Sequence, residues 1–215
     1  YDLLDALVTA VHRARPKGWG KVLEGLRTAV RRFHQHNTPA LARRNVAHHY
    51  DLRSDFFRLF LDPDMQYSCA YFAEPGMSLA EAQTAKKRHI MGKLDLQPGQ
   101  RVLDIGCGWG GMALDRARQL GAEVTGVTLS DEQHALSVKR ASEAGLSEAV
   151  TFLLQDYRNT QGPFDRIVSV GMFEHVGVGY YRDYFRKIRE LLSDDGVALV
   201  HTIGRSSPPG ATNPF

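Results

Sequence analysis

The stretch that most restricts the fold is an apolar strand that carries an acid and then turns through four glycines. Residues 101–105 read as a strand with Asp104 near its end, and Gly106, Gly108 and the glycine pair at 110–111 follow. Because glycine has no Cβ, the backbone can bend sharply here and approach a ligand closely. These glycines satisfy the pattern G-x-G-x-x-G, which alone is a weak indication of a nucleotide-type cofactor. The unit therefore predicts a strand, a turn and a helix, with a ligand at the end of the strand.

Strands and helices alternate after residue 98. This alternation predicts an α/β fold, in which a parallel sheet has helices on both faces. Ligands of such folds bind at the carboxyl ends of the strands. The predicted strands are 101–105, 123–128, 150–154, 165–170 and 196–202, and the predicted helices are 110–120, 131–144 and 179–192.

The acid before the glycines distinguishes between cofactors. A nicotinamide site favours an acid about 20 residues after the first glycine, where it holds the ribose hydroxyls. The strand tip in that region reads GVTLS at 126–130 and has no acid. Asp104 instead suits the positive amino group of S-adenosylmethionine. The run Asp-x-Gly-x-Gly-x-Gly resembles the first motif of Rossmann-like methyltransferases, so we expect a Rossmann-like S-adenosylmethionine-dependent methyltransferase fold with an N-terminal helical segment.

The ends of three predicted strands offer contacts for the rest of this cofactor. The glycine turn lets the backbone approach it, and a hydroxyl with an amide can replace the missing acid at the ribose. An acid and an aromatic ring suit the adenine, through a hydrogen bond to N6 and through stacking. An ordinary polar loop is an equally good interpretation of that last pair. In the same order, the candidates are Gly106 and Gly108, then Thr128, Leu129 and Gln133, then Asp156 and Tyr157.

Size and composition limit the class of protein. The chain has 215 residues, enough for one sizeable core and an appendage. No apolar run approaches the roughly 20 residues that span a bilayer, and residues 1–20 lack the apolar region of a signal peptide. Cys69 and Cys107 are the only cysteines, and two isolated thiols are typical of a reducing compartment. We therefore expect a cytoplasmic protein.

Positive charge is concentrated near the N-terminus. Residues 1–50 carry nine Lys or Arg and three acids, a net charge of +6, whereas the rest of the chain carries −3. Apolar residues at helical spacing over 2–14 and 19–35 predict a basic helical segment at residues 1–38. An anionic partner, either lipid head groups or nucleic acid, is one interpretation of this charge. A solvated helical face is the other.

Two further segments complete the predicted organisation. Residues 39–95 would form a helical and extended cover over the active site. Residues 96–215 would form the Rossmann-like core, which we expect to be incomplete at its C-terminus because such folds normally add strands after the last one predicted here. The cover contains predicted helices at 40–60 and 79–94, the second beginning with a capping box of Ser78 and Glu81, and an extended aromatic stretch at 65–72.

Seven segments together resemble one enzyme family. In chain order they are HHYDL (48–52), MQYSCAY (65–71), LDIGCGWGG (103–111), GVTLS (126–130), LQDYR (154–158), VGMFEHVG (170–177) and HTIG (201–204). Over about residues 40–204 the chain is similar to cyclopropane-fatty-acyl-phospholipid synthases and to the related mycolic acid cyclopropane synthases. The strings YSCAY and MFEHVG, in this order, are far more specific than the glycine motif.

The resemblance implies a reaction and a set of residues. The reaction transfers a methylene group from S-adenosylmethionine to the cis double bond of an unsaturated phospholipid acyl chain, forms a cyclopropane ring and uses bound bicarbonate as the general base. Tyr67 and Ser68 are implied to contact the methionine end of the cofactor. The implied partner is a phospholipid bilayer surface, with the enzyme a homodimer at the inner face of the membrane. The residues implied to hold the bicarbonate are Cys69, Glu174, His201 and Ile203.

The residues themselves add an independent argument for part of this site. Glu174 and His201 lie at the ends of neighbouring predicted strands, so they can face one pocket, where an acid and an imidazole can hold an anion. Each also has an ordinary interpretation, a helix-start or ion-pair role for Glu174 and a satisfied core histidine for His201. The histidine pairs near 34–36 and 48–49 have no accompanying ligands at metal-site spacing, so we expect no metal.

Three other functions stay open at this point. A fatty-acyl methyltransferase would make methyl-branched or methylene chains from the same carbocation, and only the fate of one proton separates its products from a ring. A non-catalytic cofactor- or lipid-binding module is the second. A nucleic-acid methyltransferase is the third, but the sequence has no Asn-Pro-Pro-Tyr-like motif and base flipping needs such a pocket. We therefore expect no nucleic-acid partner.

Overall fold

A five-stranded parallel sheet positions the glycine turn. The structure is a computed structural model that describes residues 54–204, and residues 54–203 lie within one compact unit. The strand order is β3-β2-β1-β4-β5, and every neighbouring pair is parallel. The order therefore reverses between β1 and β4, which is where open α/β sheets bind ligands. The strands are β1 Arg101–Ile105, β2 Glu123–Thr128, β3 Val150–Leu154, β4 Phe164–Val170 and β5 Leu192–His201.

Helices connect these strands and precede the first one. Within the described residues they are α1 Ser54–Arg58, α2 Leu79–Leu94, α3 Gly111–Leu120, α4 Asp131–Glu143 and α5 Tyr181–Leu191. The predicted capping box of α2 is confirmed, since Glu81 N donates to Ser78 Oγ at 3.3 Å and Ser78 N donates to Glu81 Oε2 at 2.8 Å. Short 3₁₀ turns lie at Tyr157–Asn159, Phe173–His175 and Val178–Tyr180.

Within residues 54–204, the five predicted strands and the predicted helices after residue 78 are confirmed, with differences at some ends. Three strands have the predicted bounds, and β4 begins one residue early. β5 begins at Leu192 and not at residue 196, because Leu192 already pairs with Phe164. The polar run 193–196 then forms a bulge, and regular pairing resumes where Val197 pairs with Arg166. The helix predicted from 179 begins at Tyr181, after a 3₁₀ turn.

Some predictions fall wholly or partly outside the described residues. The predicted helices at 2–14 and 19–35, the basic segment at 1–38 and the loop after residue 204 lie outside them. Of the helix predicted at 40–60, residues 54–58 are helical and 59–60 form a turn. Within the described part of the chain, no helix is both long and apolar enough to cross a membrane.

The core has a layer on each face of the sheet. Val102 and Val168 belong to the layer that α2, α3 and α4 cover, whereas Leu103 and Ile167 belong to the layer that α5 covers with Tyr184. This alternation follows from the two-residue period of a strand. Burying one large aliphatic side chain contributes about 1.5–3 kcal/mol to the free energy of unfolding. Packing in both layers therefore stabilises the sheet and the positions of its strand ends.

Candidate active site

The glycine turn after β1 has the backbone that its sequence predicts. Gly106, Gly108 and Gly110 all have positive φ, at +77°, +55° and +81°. The amides of Gly106 and Cys107 donate to Val127 O at 3.0 and 3.1 Å, which ties the turn to the tip of β2. A Cβ on Gly108 would meet no described heavy atom within 4 Å. The turn therefore leaves open space beside its backbone.

Asp104 lies buried at the base of this turn. Its Oδ2 has no hydrogen-bond partner among the described residues and lies 3.8 Å from Nη1 of the buried Arg116. Burial raises the pKa of Asp104, while the positive charges of Arg116 and Lys86 oppose that rise. A carboxylate oxygen that lacks a donor fits the ammonium group of an amino-acid ligand. The residue present thus suits the methionine end of S-adenosylmethionine.

The segment that carries Tyr67, Ser68 and Cys69 is anchored to α2. Nε2 of the buried Gln83 donates to Ser68 O at 2.9 Å, and Lys86 Nζ donates to Ser68 Oγ at 2.6 Å. A Cβ on Gly171 would lie 3.7 Å from Ser68 Cβ, so this segment lies beside the tip of β4. The structure therefore brings Ser68 to the sheet edge that carries the glycine turn.

Tyr67 belongs to an aromatic cluster beside the turn. Its ring is half exposed, and its centroid lies 5.4 Å from that of Phe57 and 6.5 Å from that of Trp109. Trp109 follows Gly108 and is buried, and its Nε1 has no hydrogen-bond partner among the described residues. This cluster joins α1 and the 61–72 segment to the glycine turn.

The predicted ribose contacts bond to each other. Thr128 Oγ1 donates to Gln133 Oε1 at 2.8 Å, and both side chains are buried. Ser130 caps α4 by accepting from Gln133 N at 3.3 Å. Leu129 between them is half-buried. The structure thus groups these residues at the tip of β2, and their contact with a ribose stays a prediction.

The predicted adenine contacts also have protein partners. Both carboxylate oxygens of Asp156 accept from Arg158, at 2.8 Å from Nε and 2.6 Å from Nη2. The ring of Tyr157 packs edge-on against Tyr184 at 5.5 Å, and burial raises the pKa of Tyr157 to about 12. A carboxylate has about four acceptor positions, so Asp156 retains capacity for a ligand. Both roles stay predictions.

Of the four residues implied to hold an anion, Glu174 and Ile203 are joined by a hydrogen bond, and His201 is the last residue of β5. Glu174 Oε1 accepts from Ile203 N at 2.7 Å. His201 pairs with Val170 in the sheet, and its Nδ1 is buried without a hydrogen-bond partner among the described residues. Cys69 is an exposed free thiol. Within residues 54–204, it makes no hydrogen bond to the other three.

Gln83 and Lys86 are site residues that the sequence interpretation missed. They lie three positions apart on α2, hence on one face, which they share with the buried Ala82 and Ile90. Polar residues at helical spacing usually indicate a solvated face. The available signal was that this face also contains core residues.

The family follows from a comparison that covers most of the chain. A family model described as mycolic acid cyclopropane synthetase matches residues 37–213. The chain belongs to this family. The structure of mycolic acid cyclopropane synthase CmaA1 complexed with SAH and CTAB superposes with a TM-score of 0.71 and 44% identity, over 74% of this chain and 55% of CmaA1. The structure of cyclopropane synthase MmaA2 from Mycobacterium tuberculosis superposes with a TM-score of 0.72 and 46% identity, over 74% of this chain and 56% of MmaA2. The predicted Rossmann-like methyltransferase fold is thereby confirmed.

Two relatives known from sequence extend this comparison. Cyclopropane-fatty-acyl-phospholipid synthase of Escherichia coli K12 is 53% identical over 156 residues, which are 73% of this chain and 40% of the synthase. A Pseudomonas putida protein named as a probable fatty acid methyltransferase is 44% identical over 189 residues, 84% of this chain and 47% of that protein. The chain thus spans about half the length of the relatives that it matches.

Proposed function

We propose that the protein transfers a methylene group from S-adenosylmethionine to the cis double bond of a phospholipid acyl chain and so forms a cyclopropane ring. The observation that carries this proposal is the hydrogen bond that Ile203 N donates to Glu174 Oε1 at 2.7 Å. Ile203 lies two residues after His201, the last residue of β5. The family membership and the identity with the Escherichia coli synthase support the substrate class.

The chain's own residues would perform distinct tasks in this reaction. S-adenosylmethionine would supply an electrophilic methyl group to the alkene and leave as S-adenosylhomocysteine. Bicarbonate held by the residues at the tips of β4 and β5 would supply the base that takes a proton from the added carbon as the ring closes. Asp104 would hold the ammonium group, while Gly106 and Gly108 would let the cofactor lie against the backbone. Tyr67 and Ser68 would bound its methionine end.

The tips of β4 and β5 would hold the base. His201 Nδ1 is a buried group without a hydrogen-bond partner among the described residues, and Glu174 already fixes the backbone of Ile203. We infer that the anion lies between these groups, with Cys69 at its edge. An anion held there would stabilise the developing carbocation, most strongly once water is excluded.

Lipid incorporation of label tests the reaction. The full chain is incubated with vesicles of dioleoyl phosphatidylglycerol and methyl-labelled S-adenosylmethionine, and the acyl chains are analysed by mass spectrometry and NMR. We expect labelled chains that are one methylene heavier and carry cyclopropane protons, and no label in saturated dipalmitoyl vesicles. Label in neither lipid, with cofactor binding intact, would reject the reaction and leave a non-catalytic binding module.

A methyl-branching reaction is a second candidate. The 44% identity with the Pseudomonas putida protein over 84% of this chain favours it. Both reactions pass through the same carbocation, so Glu174 and His201 would serve either. The same NMR spectrum separates them, since a branched or methylene product lacks cyclopropane protons.

The partners are proposed on charge and on family membership. We propose that the protein binds the phospholipid surface from the cytoplasmic side, with residues 1–50 and their net charge of +6 near anionic head groups. We also propose that it is a homodimer, which light scattering of the full chain would test.

A further inference from the structure

Three buried side chains on one face of α2 donate hydrogen bonds to the 64–68 segment. Gln83 donates to Ser68 O at 2.9 Å, Lys86 to Ser68 Oγ at 2.6 Å and Lys87 to Asp64 Oδ2 at 2.9 Å. The exposed fractions of the two lysines are 3% and 7%. α2 therefore fixes the segment that carries the proposed methionine-end contacts.

The two lysines differ in what neutralises them. Lys87 pairs with two carboxylates, those of Asp64 at 2.9 Å and Asp115 at 3.4 Å. Lys86 forms no ion pair within residues 54–204, and its neutral partner there is Ser68. Burying a cation without an adjacent anion is costly. Lys86 is thus a buried charge that a bound anion would compensate.

The charges around Lys86 come from several elements. Asp62, Asp64 and Cys69 on the 61–72 segment favour its protonated form, while burial and the neighbouring Lys87 oppose it, and burial dominates. Lys86 in turn acts electrostatically on Asp104 in β1. The ammonium group therefore lies within the electrostatic reach of both the segment and the strand tip.

The hydrogen bond to Lys86 dictates what Ser68 can do. An ammonium group only donates, so Ser68 Oγ accepts from it and must donate its own proton elsewhere. No described residue accepts that proton, while Ser68 lies beside Gly171 at the tip of β4. A hydroxyl polarised by a cation is also a stronger donor. Ser68 is thereby prepared to donate to an anion at the strand tips.

We propose that Lys86 is a positioning residue, which orients the Ser68 hydroxyl towards the α-carboxylate of S-adenosylmethionine and places a positive charge behind it. This inference rests on the proposed function, in which Asp104 takes the α-amine. The α-ammonium group would thus lie near the buried Asp104, and the α-carboxylate would lie near the buried Lys86.

Decarboxylated S-adenosylmethionine tests this proposal, because it keeps the amine and lacks the carboxylate. Affinities of the full chain for both compounds are measured by calorimetry in wild type, Lys86→Met, Lys86→Arg and the control Lys87→Met. We expect Lys86→Met to bind S-adenosylmethionine at least about ten-fold more weakly and the decarboxylated compound almost unchanged. Lys86→Arg should retain most of the affinity, and Lys87→Met should affect both compounds equally.

The outcomes separate this inference from the proposed function. Equal losses for both compounds in Lys86→Met would overturn the inference and leave a merely structural lysine. No binding of either compound to wild type would instead reject the cofactor site itself. If Lys86→Met does not fold, Ser68→Ala decides, since it must show the same carboxylate-specific loss, and an unchanged preference would overturn the inference.

Discussion

Three buried charges lie together at the proposed methionine end of the site. Burial raises the pKa of Asp104 and lowers the pKa of Arg116, and each partly offsets the effect on the other. Lys86 adds a second positive charge, bonded to Ser68. In the free protein these groups are incompletely compensated. An amino-acid ligand that brings both signs would stabilise them, so ligand affinity and folding stability are linked.

Lys86 makes the free energy of unfolding depend on pH between about 8 and 10.5. Burial lowers its pKa from 10.5 to about 8, so the unfolded chain binds more protons than the folded one between these values. The free energy of unfolding therefore rises with pH across the window, and below it Lys86 contributes no slope. In urea unfolding, we expect wild type to gain stability relative to Lys86→Met as pH rises through this range. A constant difference between the two proteins would contradict the assignment.

At the residue scale, the sequence predicts groups that act through local geometry. Asp104 and the glycines could be identified because one strand and one turn place them together. Lys86 could not be identified, because its burial depends on the 61–72 segment folding over α2. Helical spacing alone predicts that a lysine is exposed to solvent. The family resemblance implied that Glu174 and Ile203 belong to one anion site, but it did not predict the hydrogen bond that joins them.

At the scale of elements, the glycine turn is held by packing as well as by backbone conformation. A Cβ on Gly110 would lie 2.5 Å from Phe152 Cζ and 3.0 Å from Ser137 Cβ. Phe152 belongs to the core layer under α3 and α4. The turn therefore packs closely against the core at Gly110, whereas open space lies beside Gly108.

Replacing Gly110 tests this packing. Gly145 also has positive φ, +67°, but a Cβ there would meet no described heavy atom within 4 Å. We expect Gly110→Ala to lower the free energy of unfolding by about 1–3 kcal/mol more than Gly145→Ala, because both add backbone strain and only the first adds overpacking. Urea unfolding of both variants measures the difference. Equal losses would show that Phe152 does not confine the turn.

The order of strands and helices could be predicted because each element has its own hydrophobic period. The start of β5 could not, since residues 193–196 have turn chemistry. Their place in the strand comes from pairing on both sides, Leu192 with Phe164 and Val197 with Arg166. Strand ends that depend on pairing register are decided by distant residues, which local patterns do not contain.

At the scale of the whole molecule, charge is divided along the chain. Residues 1–50 carry +6 and the rest carries −3. Under the proposed function, an anionic lipid surface would attract the first part and repel the second, and so would orient the protein at a membrane. The sequence shows this charge asymmetry directly, whereas an anionic lipid as the binding partner depends on the proposed function.

Vesicle binding tests the charge argument. We expect the full chain to sediment with phosphatidylglycerol vesicles at low salt, to be released at high salt because screening shortens the range of the attraction, and not to sediment with phosphatidylcholine vesicles. Equal binding to both lipids, insensitive to salt, would contradict an electrostatic interaction.

A crystal structure of the full chain with SAH and bicarbonate would show whether Glu174 and His201 share one anion. We expect a planar, triangular anion within about 2.7–3.2 Å of a Glu174 carboxylate oxygen and of His201 Nδ1, with the SAH amino group at Asp104. Bound SAH with Glu174 and His201 facing separate, solvent-filled regions, and no anion between them, would contradict this expectation.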